Sequence, residues 1–241
     1  MDKIKVLSAF QLKIVLTVLM VLDHLHFINN IIPPETAAFF SVISRGVAPM
    51  FAYLVVESIR YTSNVKKYLM RLFVFAVVMF AGNTIFRLVY QAKYGMLSAN
   101  IRLLLSNNIF FTLALGTLSI CCICWGRQST RGAQRGLYAL SAACFLLGFF
   151  AGEWGSVILP FMLAQCFFRE NKRIKFLCYG LIQIVALLLP FSEPLWFLVF
   201  PFMMLYNGKK GRQSDKSKYF FYLFYPIHLW IIAIINYLSG I

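Results

Sequence analysis

The sequence is poor in charge, and above all in acidic residues. Of its 241 residues only 13% are charged, with 23 Lys and Arg against 8 Asp and Glu. A soluble globular domain carries about a quarter charged residues. The shortage excludes an ordinary soluble protein, and the apolar segments leave no stretch for a separate soluble domain. We therefore expect a single domain over 1–241, an all-α polytopic helical bundle integral to a membrane.

The sequence also lacks the signatures of several other protein classes. It has no helix-turn-helix or RNA-binding motif, so its net charge of +15 does not indicate a nucleic-acid partner. No small-residue cleavage site follows the basic N-terminus, and we interpret residues 11–32 as a retained first span. The six cysteines lie within or at the edges of apolar segments, which argues against a disulfide framework. The "CCIC" run at 121–124 lacks zinc-ligand spacing, and no metal site is expected.

Apolar runs of bilayer length fill the sequence instead. A membrane-spanning helix needs roughly 20 mostly apolar residues, and about nine segments have this pattern. Eight or ten spans are alternatives, because glycine and proline divide the later segments. The predicted spans are 11–32, 37–58, 68–90, 108–125, 136–151, 154–169, 174–190, 193–207 and 219–239.

Basic residues are distributed unevenly between the predicted loops. With the N-terminus in the cytoplasm, 18 Lys and Arg fall on the cytoplasmic side and only Arg87, Lys93 and Arg102 on the other. This is the positive-inside pattern. It predicts a cytoplasmic N-terminus and, for an odd number of spans, a C-terminus outside. Residues 91–107 are predicted to form either an amphipathic surface helix, such as a lid, or a connector packed on the bundle.

A few ionisable residues interrupt the apolar runs. Lys13 and Glu57 lie close to the predicted cytoplasmic ends of their spans, where long side chains reach headgroup water. Asp23, His24 and Arg45 lie deeper, where a charged group costs several kcal/mol unless it faces the protein interior or a wet cavity. These three residues are therefore the first candidates for a functional site.

Asp23 and Arg45 are predicted partners, because an arginine inside a span needs a carboxylate at similar depth. Gly46 is expected to loosen the second span beside this arginine. His24 then stays free for chemistry: its unperturbed pKa of about 6.5 lets the neutral ring accept a proton from an attacking group. An Asp–Arg–His network that only ties two helices together is the alternative. His228, in "FYPIH", is a relay, a substrate contact or a buried structural histidine.

Four stretches, in this order, resemble the TraX family of membrane proteins. They are "LKIVLTVLMVLDHLHF", "ISRGVAPMFAYLVVESIRYTSNVKKYLMRL", "NIFFTLALG" and "KYFFYLFYPIHLW". The resemblance covers both ends and the middle through 108–116. From about 125 to 215 it is weak, and only "GEWGSVILP" is similar.

The resemblance implies an enzyme of the bacterial cytoplasmic membrane that uses acetyl-CoA as co-substrate. The best-known family member acetylates the N-terminal residue of conjugative F-pilin. The chain also resembles, more distantly, multi-span acyltransferases of the acyltransferase-3 type, which modify surface glycans. The acceptor implied is therefore the N-terminal amine of a pilin-like or other exported peptide, or a glycan hydroxyl.

The family motifs fall on Asp23 and His24, on Arg45 and Gly46, and on Tyr225, Pro226 and His228. For direct acyl transfer we expect the following roles. His24 would be the general base, Asp23 would hold Arg45, and Arg45 or an amide such as that of Asn108 would stabilise the oxyanion. Residues expected to bind the acceptor are Asn108, Thr112, Glu153, Tyr225 and His228. Residues expected to bind the phosphates of CoA are Lys66, Lys67 and Arg71.

Two functions without acyl transfer remain open. One is a membrane assembly factor that binds pilin-like or other exported peptides, in which the polar cluster is structural. The other is a small transporter that uses the Asp–His–Arg set as a proton relay. Transporters of that kind often carry inverted repeats with paired broken helices, and the sequence shows none.

Overall fold

The structure, a computed structural model, describes residues 5–28, 31–188, 196–212 and 214–239, with 172, 196, 215 and 216 described by their backbone alone. Within these residues the chain is helical, with one isolated bridge between Leu7 and Tyr206 and no β-strand. The α-helices are α1 (Ala9–His24), α2 (Pro34–Ser44), α3 (Val47–Tyr61), α4 (Val65–Tyr94), α5 (Ala99–Leu104), α6 (Ile109–Gly126), α7 (Arg131–Ala151), α8 (Gly155–Phe167), α9 (Lys172–Leu188), α10 (Val199–Leu205) and α11 (Asp215–Ser239). The all-α prediction is confirmed.

Six segments of the described chain are long and apolar enough to cross a bilayer. They are Ala9–Phe27, Pro34–Tyr61, Val65–Tyr94, Ala99–Gly126, Arg131–Ala151 and Ser217–Ser239. The apolar helix α8 has only 13 residues and α10 only 7. The count of nine is therefore not confirmed, and the stretch 189–195 between the seventh and eighth predicted spans lies outside the described residues. The N- and C-termini lie on opposite sides of the membrane only if the number of spans is odd. The predicted orientation, with the N-terminus in the cytoplasm and the C-terminus outside, therefore stays a prediction.

The chain folds into two compact units. The first comprises Met1–Met50, Val78–Asn107 and Leu198–Ile241, and the second comprises Phe51–Val77 and Asn108–Phe197. Helices α3 and α4 contribute residues to both units. That residues 1–241 act as one domain stays a prediction.

Helix α1 carries the first candidate residues and packs against α2 and α11. It begins with a capping box, in which the Ser8 hydroxyl accepts from the Gln11 N–H and the Gln11 side chain accepts from the Ser8 N–H. It ends at His24 and continues only as a 3₁₀ turn over Leu25–Phe27. The predicted span 11–32 is thus too long at its C-terminal end, and Asp23 and His24 lie in the last turn of the helix.

The second predicted span is broken at the position of its arginine. Helix α2 ends at Ser44, α3 begins at Val47, and Arg45 and Gly46 form the turn between them. A Cβ atom on Gly46 would lie 2.5 Å from the carbonyl oxygen of Leu198, so only glycine permits this close backbone approach. The loosening predicted at Gly46 is confirmed.

Residues 91–107 form a packed connector. Helix α4 runs on to Tyr94, and only the six-residue α5 follows before Asn107. The Arg87 guanidinium donates to the Leu105 carbonyl at 2.8 Å, and the Asn83 amide donates to the Asn107 carbonyl at 3.0 Å. Of the two predictions for this segment, the structure favours the connector over the surface lid.

The packing of α4 on α11 depends on Gly82, and its replacement gives a first test. The Trp230 indole N–H donates to the Asn83 side chain at 3.0 Å, and a Cβ atom at Gly82 would overlap the indole ring. We expect Gly82→Val to lower the free energy of unfolding by about 1–3 kcal/mol, as overpacking does. The thermal midpoint of the purified protein in detergent measures it. Gly180→Val, at a helical glycine with open space around it, is the control, and an equal loss there would contradict the role of Trp230.

Helix α6 is the centre of the second unit and packs against α7 and α8, while α8 also packs against α9. A buried serine pair joins α6 to α7. Ser119 donates to the Ser141 carbonyl at 3.1 Å, and Ser141 donates to the Ser119 carbonyl at 3.0 Å. Small side chains with reciprocal backbone bonds allow the two helices to approach closely, as is typical of helix pairs in membranes.

Candidate active site

The centre of the candidate site is a buried contact between two histidines of the first unit. Nδ1 of His24, at the end of α1, lies 2.9 Å from Nε2 of His228 in α11. The two residues are 9% and 7% exposed, and their ring centroids are 5.0 Å apart. At this distance one nitrogen must donate a proton and the other must accept it.

The backbone of α11 decides which nitrogen donates. Nδ1 of His228 lies 3.0 Å from the carbonyl oxygen of Phe224, one turn earlier in the helix. A carbonyl only accepts, so Nδ1 of His228 carries the proton and its Nε2 is bare in the neutral ring. His24 must then donate from Nδ1, and Nε2 of the neutral His24 ring holds a lone pair. The network thus leaves the lone pair of the neutral His24 ring on Nε2.

Aromatic side chains hold both rings in place. Phe27 stacks on His24 with centroids 5.9 Å apart, and Phe224 stacks on His228 at 5.3 Å. The buried Tyr225 meets the His228 ring edge-on at 5.6 Å. The predicted site residues Tyr225 and His228 therefore lie together with His24, and the orientation of the imidazole pair is fixed from several sides.

Asp23 and Arg45 approach each other through a third residue, Ser41. The Arg45 guanidinium donates to the Ser41 hydroxyl, and that hydroxyl also bonds the Asp23 carboxylate. The opposite charges of Asp23 and Arg45 attract each other across it. Oδ1 of Asp23 is buried without a hydrogen-bond partner in the described part of the chain. The predicted pair is therefore bridged, and Ser41, one helical turn before Arg45, is a residue that the sequence analysis missed.

Asn108 and Thr112 lie in the second unit, where both side chains bond to the backbone. Asn108 caps α6: its side-chain oxygen accepts from the Phe111 N–H at 3.3 Å, and its amide donates to the Ala76 carbonyl at 3.0 Å. Thr112 is fully buried and donates to the Glu153 carbonyl at 3.0 Å. These contacts favour structural roles for both residues over acceptor binding, since the Asn108 amide already donates to a backbone carbonyl.

Lys66, Lys67 and Arg71 lie in the first two turns of α4, also in the second unit. Asn64 caps this helix by accepting from the Lys67 N–H at 2.8 Å. Both lysines are exposed, and the Arg71 guanidinium lies over the Tyr68 ring at 5.7 Å. An anion can reach the two lysines, but basic residues at the cytoplasmic end of a span show the same exposure without any ligand.

A second buried polar cluster in the second unit was missed in the sequence analysis. Glu57 is only 4% exposed, and its carboxylate accepts from Gln165 at 3.0 Å and from Arg169 at 3.1 Å. The Tyr179 hydroxyl donates to the Gln165 side chain at 2.8 Å. The prediction that Glu57 reaches headgroup water is therefore wrong, because the carboxylate joins α3 to Gln165 in α8 and to Arg169 just after that helix. Gln165 and Arg169 are four residues apart, so their side chains can lie close together, and this spacing was the sequence signal for a polar cluster.

The described residues contain no group of three or more His, Cys, Asp or Glu side chains that could hold a metal ion. His26, the third histidine, is exposed and bonds through Nδ1 to the Asp23 carbonyl. It therefore lies beside the candidate site without belonging to the buried pair.

Comparisons with known proteins agree with the motifs on which the site is built. The sequence profile of a family described as "TraX protein" matches residues 8–236. The probable fimbrial assembly protein FimC, serogroup H1, of Dichelobacter nodosus is 28% identical over an alignment of 252 positions, gaps included, that covers 94% of each chain. No solved structure matches the chain. The more distant resemblance to acyltransferases of surface glycans stays a prediction. The profile match spans nearly the whole sequence, and the chain therefore belongs to the TraX family.

Proposed function

We propose that this protein is an acetyltransferase of the bacterial cytoplasmic membrane. It moves an acetyl group from cytosolic acetyl-CoA to an acceptor on the opposite side of that membrane. The observation that carries the proposal is the buried His24–His228 contact, which leaves an imidazole nitrogen with a lone pair at the end of α1. Family membership and the fimbrial name of the relative support a pilin-like acceptor.

In the proposed reaction His24 is the general base. Its Nε2 takes a proton from the acceptor amine or hydroxyl as that group attacks the thioester carbon of acetyl-CoA. The new amide or ester bond forms and the C–S bond breaks. The departing CoA thiolate takes up the proton that His24 had accepted. Nε2 of His228 continues to accept from Nδ1–H of His24, and so stabilises the imidazolium that forms in between.

Arg45 is the proposed oxyanion stabiliser. Its guanidinium lies in the break between α2 and α3, and irregular backbone at membrane depth is tolerated where it lines a cavity. Negative charge develops on the thioester oxygen during attack, and a fixed cation nearby lowers the barrier. Ser41 and Asp23 hold the guanidinium, so we assign them positioning roles.

Transfer of labelled acetyl groups tests the proposed function directly. The purified protein is incubated with [¹⁴C]acetyl-CoA and an envelope fraction from host cells that lack the gene. We expect label on one envelope component only when the protein is present. Mass spectrometry then separates an acetylated N-terminal amine from a base-labile ester on a glycan. A folded protein that neither labels the envelope nor binds acetyl-CoA would overturn the proposal.

A membrane assembly factor without catalytic activity is the second candidate function. The description of the relative as a probable fimbrial assembly protein favours it. In this case the histidine pair only joins α1 to α11. A pilin-like subunit would then bind equally well with and without acetyl-CoA, and assembly would survive replacement of His24.

A further inference from the structure

The N-terminal segment and the linker before α11 form one ordered piece of the first unit. Four backbone hydrogen bonds of 2.8–3.1 Å join residues 7–10 to residues 205–210. The linker turns at Gly208 and Gly211, with φ of 77° and 74°, a left-handed conformation that favours glycine. Gly211 also packs against Ser8, where a Cβ atom would overlap the serine side chain. Residues 205–211 of the linker are therefore fixed in place against the start of α1.

This ordered piece is strongly basic. Residues 5–13 and 205–218 contain seven Lys and Arg and a single acidic residue, Asp215. We call its exposed cations the basic platform: Lys5, Lys209, Lys210, Arg212 and Lys218. Helices α1 and α11 both begin here, at Ala9 and Asp215. Clustered cationic side chains favour an anionic ligand, and phosphate groups in particular.

The basic platform lies at a defined distance from the candidate site. Helices α1 and α11 run in the same direction, since the Phe10 and Phe221 rings meet near their starts and the two histidines meet farther along. At 1.5 Å per residue, His24 lies about 22 Å along α1 from its first residue, and His228 lies about 20 Å along α11. A ligand that spans both places must be long and thin.

We propose that the basic platform binds the phosphates of acyl-CoA, and that the pantetheine arm extends along α1 and α11 to bring the thioester to His24. The inference rests on the proposed function and specifies where its donor substrate binds. A pantetheine arm is about as long as five extended residues, roughly 17 Å, and so covers most of the roughly 20–22 Å along the helices. The platform takes the role that the sequence assigned to Lys66, Lys67 and Arg71.

Anionic lipid headgroups offer the same phosphate chemistry, and the 3′-phosphate of CoA distinguishes the two sources. The test uses the full chain in nanodiscs of neutral lipid and measures the Kd of acetyl-CoA and of 3′-dephospho-acetyl-CoA by calorimetry. The variant K209Q/R212Q is compared with K66Q/K67Q, which also removes two exposed positive charges. The thermal midpoint of each variant reports that the fold is intact.

For the wild type we expect dephospho-acetyl-CoA to bind about tenfold more weakly than acetyl-CoA, as the loss of charge-assisted hydrogen bonds implies. K209Q/R212Q should bind acetyl-CoA at least about tenfold more weakly than the wild type and no longer distinguish the two ligands. K66Q/K67Q should stay within about twofold of the wild type, since the proposed phosphate site does not include the start of α4.

Other results overturn the inference in recognisable ways. Loss of affinity in K66Q/K67Q alone would place the phosphates at α4. Unchanged acetyl-CoA affinity in K209Q/R212Q, with weaker binding to phosphatidylglycerol vesicles, would make the platform a headgroup site while the proposed function stands. A folded wild type that binds no acetyl-CoA would overturn the proposed function together with the inference.

Discussion

Replacing His24 by alanine is expected to reduce acetyl transfer at least about 10²-fold, because a positioned general base contributes roughly 10²–10⁴-fold to a rate. The loss should appear in kcat, since the ring is proposed to act on the proton that leaves during attack. Initial rates with labelled acetyl-CoA and the identified acceptor measure it. The thermal midpoint of the variant shows whether the protein is still folded.

His26→Ala is the matched control for this prediction. It removes an imidazole two residues along the chain, but that ring is exposed and lies outside the buried pair. We expect its rate to stay within about threefold of the wild type, as for a side chain that takes no part in proton transfer. If folded His24→Ala kept more than about a tenth of the wild-type rate, the base assignment would be wrong.

Replacing Glu57 by leucine, in the second unit, is expected to lower the free energy of unfolding. The substitution removes the acceptor of Arg169 and Gln165 and leaves both donors without it, one of them a fully buried amide. Removing one partner of a buried ion pair costs about 3–5 kcal/mol. Because Arg169 is 24% exposed and reaches some solvent, we expect the lower end of that range, about 3 kcal/mol. Thermal unfolding in detergent measures it.

Glu35→Leu removes an exposed carboxylate from the first turn of α2 and serves as the control. That change should cost only about 0.3–1 kcal/mol, through the lost attraction to the helix N-terminus. Glu57→Gln should fall between the wild type and Glu57→Leu, because its amide oxygen still accepts one hydrogen bond. A thermal midpoint for Glu57→Leu equal to that for Glu35→Leu would contradict the role of this cluster.

The helices and the core of the candidate site could be predicted from the sequence, because the apolar bilayer constrains both. A bilayer admits an ionisable group only when the protein shields it, so Asp23, His24 and Arg45 had to face other helices. The structure places all three in one unit, together with His228, which the sequence had also singled out. The end of α1 was misplaced because apolar residues continue past His24. Hydropathy reports composition and does not report where backbone hydrogen bonding stops.

Other features depend on contacts that no local pattern reveals. Glu57 meets a glutamine 108 residues away, so its distance from the end of the helix said little about its burial. Asn108 precedes an apolar run, where an asparagine is equally suited to cap a helix or to bind a ligand, and its two backbone contacts favour the cap. Helices α8 and α10 have the apolar composition of membrane spans but each is too short to be one. Their lengths follow from where the helices begin and end, which the apolar pattern does not give.

The interruption between α2 and α3 bears on how the chain enters the membrane during synthesis. The two halves have 11 and 15 residues, so neither is long enough to cross alone, and the insertion machinery must accept Pro34–Tyr61 as one segment. The arginine in its middle opposes insertion by about 2.5–3.5 kcal/mol. Helix α1 is synthesised earlier and carries the carboxylate that offsets this cost. The order of the two segments along the gene thus brings the anion into the bilayer before the cation that depends on it.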